Sequence, residues 1–179
     1  MIRFPLTLLA LILSWGAPLS LHAGDPVLAR TALLKNSEYC ESLLQGIREA
    51  RSSVIGSFYL FRITGSRDNL PRRIADELAR AARRGVAVTV ILERGPDGGD
   101  RLNIDNRETA AYLSEAGVRV RFDSPDVVTH AKVVVIDGRF VYLGSHNLTQ
   151  SALRHNNELS VRIDSPGMAA EVVAYLQRL

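Results

Sequence analysis

Ahead of residue 50 the apolar positions Cys40, Leu43, Leu44 and Ile47 fall at i, i+3, i+4 and i+7, one face of a helix, and Asn36 and Ser37 precede them as capping residues. A β-like run from Ser53 to Phe61 follows. A second helix is predicted from about Pro71, which suits a first turn, to near Gly85, just after Arg83 and Arg84. Val86 to Leu92 reads as a continuous apolar strand of the kind buried on both faces. A third helix, from about Ile104 to Ala116, stops at Gly117 and leads into the strand Val118 to Phe122. This β-α-β-α-β rhythm implies parallel strands joined by helical crossovers. The last third differs: His130 to Ile136 and Phe140 to Leu143 flank Asp137-Gly138, a strong hairpin signal. Asn157 to Ile163 then alternates apolar and polar, and Ser165-Pro166 opens a final helix. The pattern predicts an α/β fold, a mixed and mainly parallel β-sheet flanked by helices. No repeat or long linker divides it.

The N-terminus stands apart. No residue from Phe4 to Ala23 is charged, Arg3 precedes the run, Leu6 to Leu13 is its apolar heart, and Gly16, Pro18 and Ala23 follow. That order predicts a secretory signal peptide over residues 1–23, cleaved after Ala23, with residues 24–179 as a single domain in the periplasm or outside the cell. An uncleaved membrane anchor is the alternative, because about 20 apolar residues can span a bilayer. Ser14, Gly16, Pro18, Ser20 and His22 dilute the run and argue against it.

Composition adds exclusions. With 46% hydrophobic and 23% charged residues, the chain is neither disordered nor low-complexity. Its net charge of +3, carried almost wholly by arginine, permits an anionic partner such as nucleic acid or phospholipid without demanding one. Cys40 is the only cysteine, so no disulfide forms within the chain, and its place on an apolar helix face makes it a small buried residue. Aromatics, at 6%, are not interleaved with basic residues, which argues against a stacking platform for single strands. Arg73, Arg80 and Arg84 share a helix face with Glu77 and read as a solvated, internally paired stripe.

The candidate chemistry lies in His130-Ala-Lys132-Val-Val-Val-Ile-Asp137 and in Gly144-Ser145-His146-Asn147. Strand alternation points His130 and Lys132 to one face. With Asp137 and Gly138 as a two-residue turn, Ile136 pairs with Arg139, Leu143 stands opposite Lys132, and Ser145 stands opposite His130 with Asn147 one step beyond. An imidazole, an ammonium, a hydroxyl and an amide then converge on one phosphate, as cleavage of a phosphodiester through a covalent intermediate requires. His146 points away by alternation and reads as structural. His155 lies in a polar loop, a second choice as general acid.

The pattern His-x-Lys-(x)4-Asp-(x)6-Gly-Ser-x-Asn resembles the signature of the phospholipase D superfamily at every specified position. In size and in carrying one copy of the motif the chain is similar to the small exported bacterial nucleases of that superfamily, which pair two chains to build one site. The resemblance implies that His130 attacks phosphorus, that Lys132, Ser145 and Asn147 bind the phosphate, and that Asp137 and Glu158 orient the imidazoles. It further implies a homodimer with the active site at the two-fold interface, where a second His130 serves as proton donor. No metal or other cofactor is implied, because Lys132 supplies the positive charge and no Cys/His cluster has zinc spacing. The expected activity is a metal-independent endonuclease on DNA or RNA. The alternative is a phospholipase D-type hydrolase or transferase acting on phospholipid headgroups, and a non-catalytic nucleic-acid-binding module is disfavoured by the intact His130, Lys132 and Asn147.

Overall fold

Runs of β-branched residues form the middle of the sheet, and the amphipathic segments between them form its cover. The structure is a computed structural model that describes residues 28–179, so the expected signal peptide at 1–23 lies outside the described residues. In chain order the elements are β1 (Arg30–Lys35), α1 (Ser37–Glu49), β2 (Ser53–Phe58), α2 (Leu70–Arg83), β3 (Ala87–Leu92) and α3 (Arg101–Glu115). They continue with β4 (Arg119–Phe122), β5 (Lys132–Ile136), β6 (Phe140–Gly144), α4 (Gln150–Arg154), β7 (Leu159–Asp164) and α5 (Pro166–Leu176).

One seven-stranded sheet runs in the order β1-β7-β6-β5-β2-β3-β4. It is mixed, as expected, but not mainly parallel. Only β2–β3 and β3–β4 pair in parallel, while β5 against β2, β6 against β5, β7 against β6 and β1 against β7 are antiparallel. A parallel neighbour needs a crossover of about a dozen residues or more, usually a helix. The link from Phe122 to Lys132 is shorter and has no helix, so the chain turns straight back beside β2.

The two faces of the sheet are covered unequally. Between the sheet and helices α1 to α4, Leu43, Ile47, Ile74 and Leu78 meet Val54, Phe58, Val90, Val134 and Tyr142. On the other face α5 alone sets Ala169 and Leu176 against Ile91, Val133, Val135 and Val141. Leu33, Val161 and Leu143 form a row across β1, β7 and β6, with Val161 packed at the edge of that cluster. Leu33 and Leu143, together with Leu159, are exposed.

Two local expectations change. Asn36 precedes α1 but does not cap it with its side chain. Its Oδ1 instead accepts the Glu158 N–H at 3.0 Å, and its backbone lies at φ 51°. The hairpin turn is made by Asp137 and Gly138, both at positive φ, and closes with the Arg139 N–H on the Ile136 carbonyl. Yet Ile136 pairs with Phe140, not Arg139. Arg139 is the extra residue, drawn toward β7: its guanidinium grips Asp164 at 2.6 and 2.8 Å, and its carbonyl accepts the Ser165 N–H. The register therefore moves by one and places Leu143 opposite Val133.

The Asp137 carboxylate is anchored at that turn. It accepts the N–H groups of Arg51, Ser52 and Ser53 and the Ser52 hydroxyl, all at 2.8–3.1 Å. It therefore fastens the hairpin tip to the start of β2, at the far end of β5 from His130, and does not orient an imidazole. Partial burial pushes its pKa up, but the donors outweigh burial and hold it below the ordinary carboxylate value. Replacing Asp137 by alanine should cost about 1–2 kcal/mol in urea denaturation at neutral pH. With the native pKa below the unfolded one, that difference should be fully present above about pH 4 and disappear as the pH falls through the native pKa.

Candidate active site

The end of β5 is closed over by the chain that leaves β6. After Gly144 this segment passes across β5, and Leu148 bridges to Phe61 beyond the end of β2, with the Leu148 N–H on the Leu60 carbonyl at 3.0 Å. The crossing begins at a glycine for a steric reason: a Cβ on Gly144 would run into the Leu159 carbonyl and Ser160. It leaves Ser145 against Leu159 at the start of β7 and takes Asn147 toward the Leu148–Phe61 bridge, past the end of the strand that holds Lys132.

Lys132 is only 6% exposed. Its Nζ donates to the His130 carbonyl at 2.8 Å and faces His130 Nδ1 at 3.2 Å. The Tyr59 ring lies 5.1 Å from the ammonium and 4.5 Å from the exposed His130 ring, so it forms a wall common to both. Burial lowers the Lys132 pKa, and the charge of Glu158 resists that shift. Glu158 in turn accepts the Ser145 hydroxyl and, at 3.0 Å, the Asn156 amide. The Leu159 N–H donates to Ser145 Oγ at 3.1 Å. Asn147 Oδ1 is buried without a hydrogen-bond partner, an uncommon condition for a polar atom.

Residues 43–179 match the model of a family described as cardiolipin synthase, PLD-like domain. The chain belongs to the phospholipase D superfamily. Phospholipase D of Rickettsia prowazekii (strain Madrid E) is 32% identical over 136 residues, which are 75% of this chain and 58% of that protein. Cardiolipin synthase A of Proteus mirabilis (strain HI4320) is 34% identical over 99 residues, 55% of this chain and 20% of that one. The chain thus spans well under two thirds of the length of either relative. Among solved structures, the phospholipase D family member Nuc from Salmonella typhimurium superposes with a TM-score of 0.70 at 25% identity, covering 84% of this chain and 93% of Nuc. NucT from Helicobacter pylori shares the fold with a TM-score of 0.68 at 23% identity, covering 84% and 95%.

Within this superfamily member, His130, Lys132, Ser145, Asn147 and Glu158 gather at one end of the sheet, and Asp137 does not join them. They meet by a different route from the expected hairpin register. The β5–β6 ladder ends at Val133 and Leu143, so neither Ser145 nor His146 pairs with His130. His146 is structural, as expected. It is 1% exposed, stacks on Tyr39 at 4.4 Å, donates Nε2–H to the Asn36 carbonyl at 2.9 Å, and takes the Ser160 hydroxyl on Nδ1 at 2.7 Å. His155 ends α4 on the surface. Cys40 is buried, and burial pushes its thiol up to about 11, well away from a reactive thiolate. Arg80 pairs with Glu77 at 2.6 Å, the internal pairing expected, but Glu77 is buried and not part of a solvated stripe, and Arg84 reaches the Ile47 carbonyl.

Two contributors gave no local signal. Tyr59 follows a strand of apolar residues and reads as one more of them. Asn106 sits within a helix, yet its buried amide donates to the Tyr59 and Glu93 carbonyls and accepts the Phe61 N–H, tying the ends of β2 and β3 together.

Replacing His146 by alanine should cost about 2–4 kcal/mol in chemical denaturation, because it opens a cavity beside Tyr39 and strands Ser160 and the Asn36 carbonyl. Burial also lowers the native His146 pKa, so the wild type should lose stability as the pH falls below the unfolded value of about 6.5 and on through the native pKa. The alanine variant should lack that component.

Proposed function

We propose that this chain is a metal-independent phosphodiesterase that cleaves nucleic acid through a covalent phosphohistidine at His130. The observation that carries this is the contact of the buried Lys132 ammonium with the exposed His130 imidazole, beside the Ser145–Glu158 pair. An ammonium can only donate, so while it faces Nδ1 the neutral imidazole carries its proton on Nε2. Attack requires a bare Nε2. A phosphoryl oxygen draws Lys132 off Nδ1, which then takes up the ring proton. Nε2 forms the N–P bond, the P–O bond to the leaving group breaks, and a proton donor neutralises the departing oxygen. Deprotonated by the same group, water then breaks the N–P bond and frees His130. Lys132, Ser145 and Asn147 bind the phosphoryl oxygens through both steps.

That cycle needs a second imidazole, and a two-fold homodimer supplies one as His130 of another copy. The exposed apolar residues Leu33, Leu143 and Leu159, grouped around half-buried Val161, support such a contact. The openness of the site at His130 and the near-complete coverage of Nuc support an extended polyanionic substrate over a lipid tail. Phospholipid headgroups are the second reading, favoured by the identities with phospholipase D and cardiolipin synthase A. Export through residues 1–23 to the periplasm or beyond completes the proposal.

Residues 24–179 incubated in EDTA with plasmid DNA, RNA and phosphatidylcholine vesicles should degrade nucleic acid. Hydrolysis of the vesicles alone would replace that substrate with lipid. His130→Ala should abolish turnover while leaving binding in place, and Lys132→Ala should raise the barrier by about 2–4 kcal/mol. Near-normal activity of His130→Ala would remove the covalent mechanism.

Mixing wild type with excess His130→Ala should depress activity more steeply than dilution with an inert protein. A fully active monomer in sedimentation and assay together would refute the shared site and promote His155 to general acid.

A further inference from the structure

We propose that Glu93 and Asp123 form a carboxyl pair sharing one proton, and that this pair is a positioning element for His130, acting through the backbone of Thr129. Both carboxyls lie beyond strand ends on the His130 side of the sheet. Glu93 follows β3 with its N–H on the Phe58 carbonyl, and Asp123 follows β4 with its N–H on the Leu92 carbonyl. Both are almost entirely out of water, at 2% and 3% exposed. Glu93 Oε2 accepts the N–H of Thr129, the residue before His130, at 2.6 Å. Asp123 Oδ1 accepts the Arg94 N–H at 2.8 Å, while its Oδ2 is buried with no conventional donor.

No salt bridge among the described residues includes either carboxyl. Two unpaired carboxylates in that setting would be far too costly, so one keeps its proton and donates it to the other. The charged groups acting on the Glu93 carboxyl are Asp123 and Asp100, both acidic; Thr129 brings it an uncharged N–H, while the α3 residue Asn106 donates only to the Glu93 backbone carbonyl. Burial, then the bond to Asp123, push the Glu93 pKa up to about 7, against the opposing pull of the Thr129 N–H.

The pair holds the segment from Ser124 to Thr129, which carries exposed Val127 and Val128 and has no helix or strand of its own. With the shared proton, Glu93 is bonded on one side to Asp123 and on the other to Thr129, and His130 is delivered against Tyr59 and Lys132. Losing it sets two like charges together, and the pair relieves them by separating or admitting water, which releases Thr129. The effect on turnover rests on His130 being the nucleophile proposed above, whereas the effect on the backbone does not.

The test is amide hydrogen exchange of the 124–131 segment, corrected for intrinsic rates, from about pH 5.5 to about pH 8.5. Wild type should lose at least about tenfold protection at Thr129 across that range, with the loss centred near neutral pH. Glu93→Gln should stay protected throughout, because its amide oxygen accepts from Thr129 and its NH2 donates to Asp123 without a titrating proton. Glu93→Ala should be unprotected at every pH. If that variant does not fold, the contrast between wild type and Glu93→Gln still decides. Equal pH dependence in those two, or full protection in a folded Glu93→Ala, would overturn the proposal. In a phosphodiester assay, Glu93→Gln should abolish the alkaline loss of kcat with KM unchanged. Should no phosphodiester be cleaved, the exchange result stands by itself, so the two failures are distinguishable.

Discussion

A lysine ammonium removed from water must be supplied with compensating oxygen, nitrogen or aromatic contacts, and the active-site end of this sheet is organised around that need. Lys132 begins a strand buried along its whole length, so its side chain cannot escape to solvent as a surface lysine would. The His130 carbonyl and ring, the Tyr59 face and the charge of Glu158 meet the need together. The same contacts that make the charge tolerable also fix the imidazole beside it. Under the proposed function, a phosphoryl group bound there would draw the ammonium away and couple binding to the rearrangement of the imidazole proton.

Much of this design was legible in the chain because periodicity reports burial. The apolar face of α1, the glycine stops after α2 and α3 and the Asp-Gly turn all appear within about a residue or two of their expected positions. β1 was not legible: it lies at the sheet edge, most of its residues are exposed, and its partner β7 is more than a hundred residues away in the chain. α4, five residues long, shows too little of a period to read. The hairpin register failed for a tertiary reason, because the residue that decides it, Arg139, answers to Asp164 and Ser165 on another strand. The motif residues other than Asp137 lie together at one end of the sheet, but alternation along an ideal hairpin gave the wrong geometry for them. Asp137 shows the converse, a residue of the signature whose observed bonds all serve the turn and the start of β2.

The unequal cover of the sheet also bears on assembly. Four helices seal one face, whereas a single short one protects the other and leaves its margin open beside β6 and β7. Ser145 and Glu158 are the next residues in the chain after β6 and just before β7, so any body seated on that margin approaches the motif from its flank. The fold therefore places its least finished surface next to the residues of the motif.

The polar underside of α3 has a different consequence. Its buried face includes Asn103, Asp105, Asn106 and Thr109, and only Ala110 and Leu113 are apolar there. A helix held in this way contributes direction more than driving force: hydrogen bonds specify where strand ends stop, whereas greasy contacts would let them slide. Global stability and the order of the reactive end are thus separable properties in this molecule. An apolar isostere at Asn106 could leave the core intact and the chain folded, yet set the ends of β2 and β3 adrift. Homologous chains could on this basis differ widely in how firmly they fold while agreeing closely in how that helix grips the sheet.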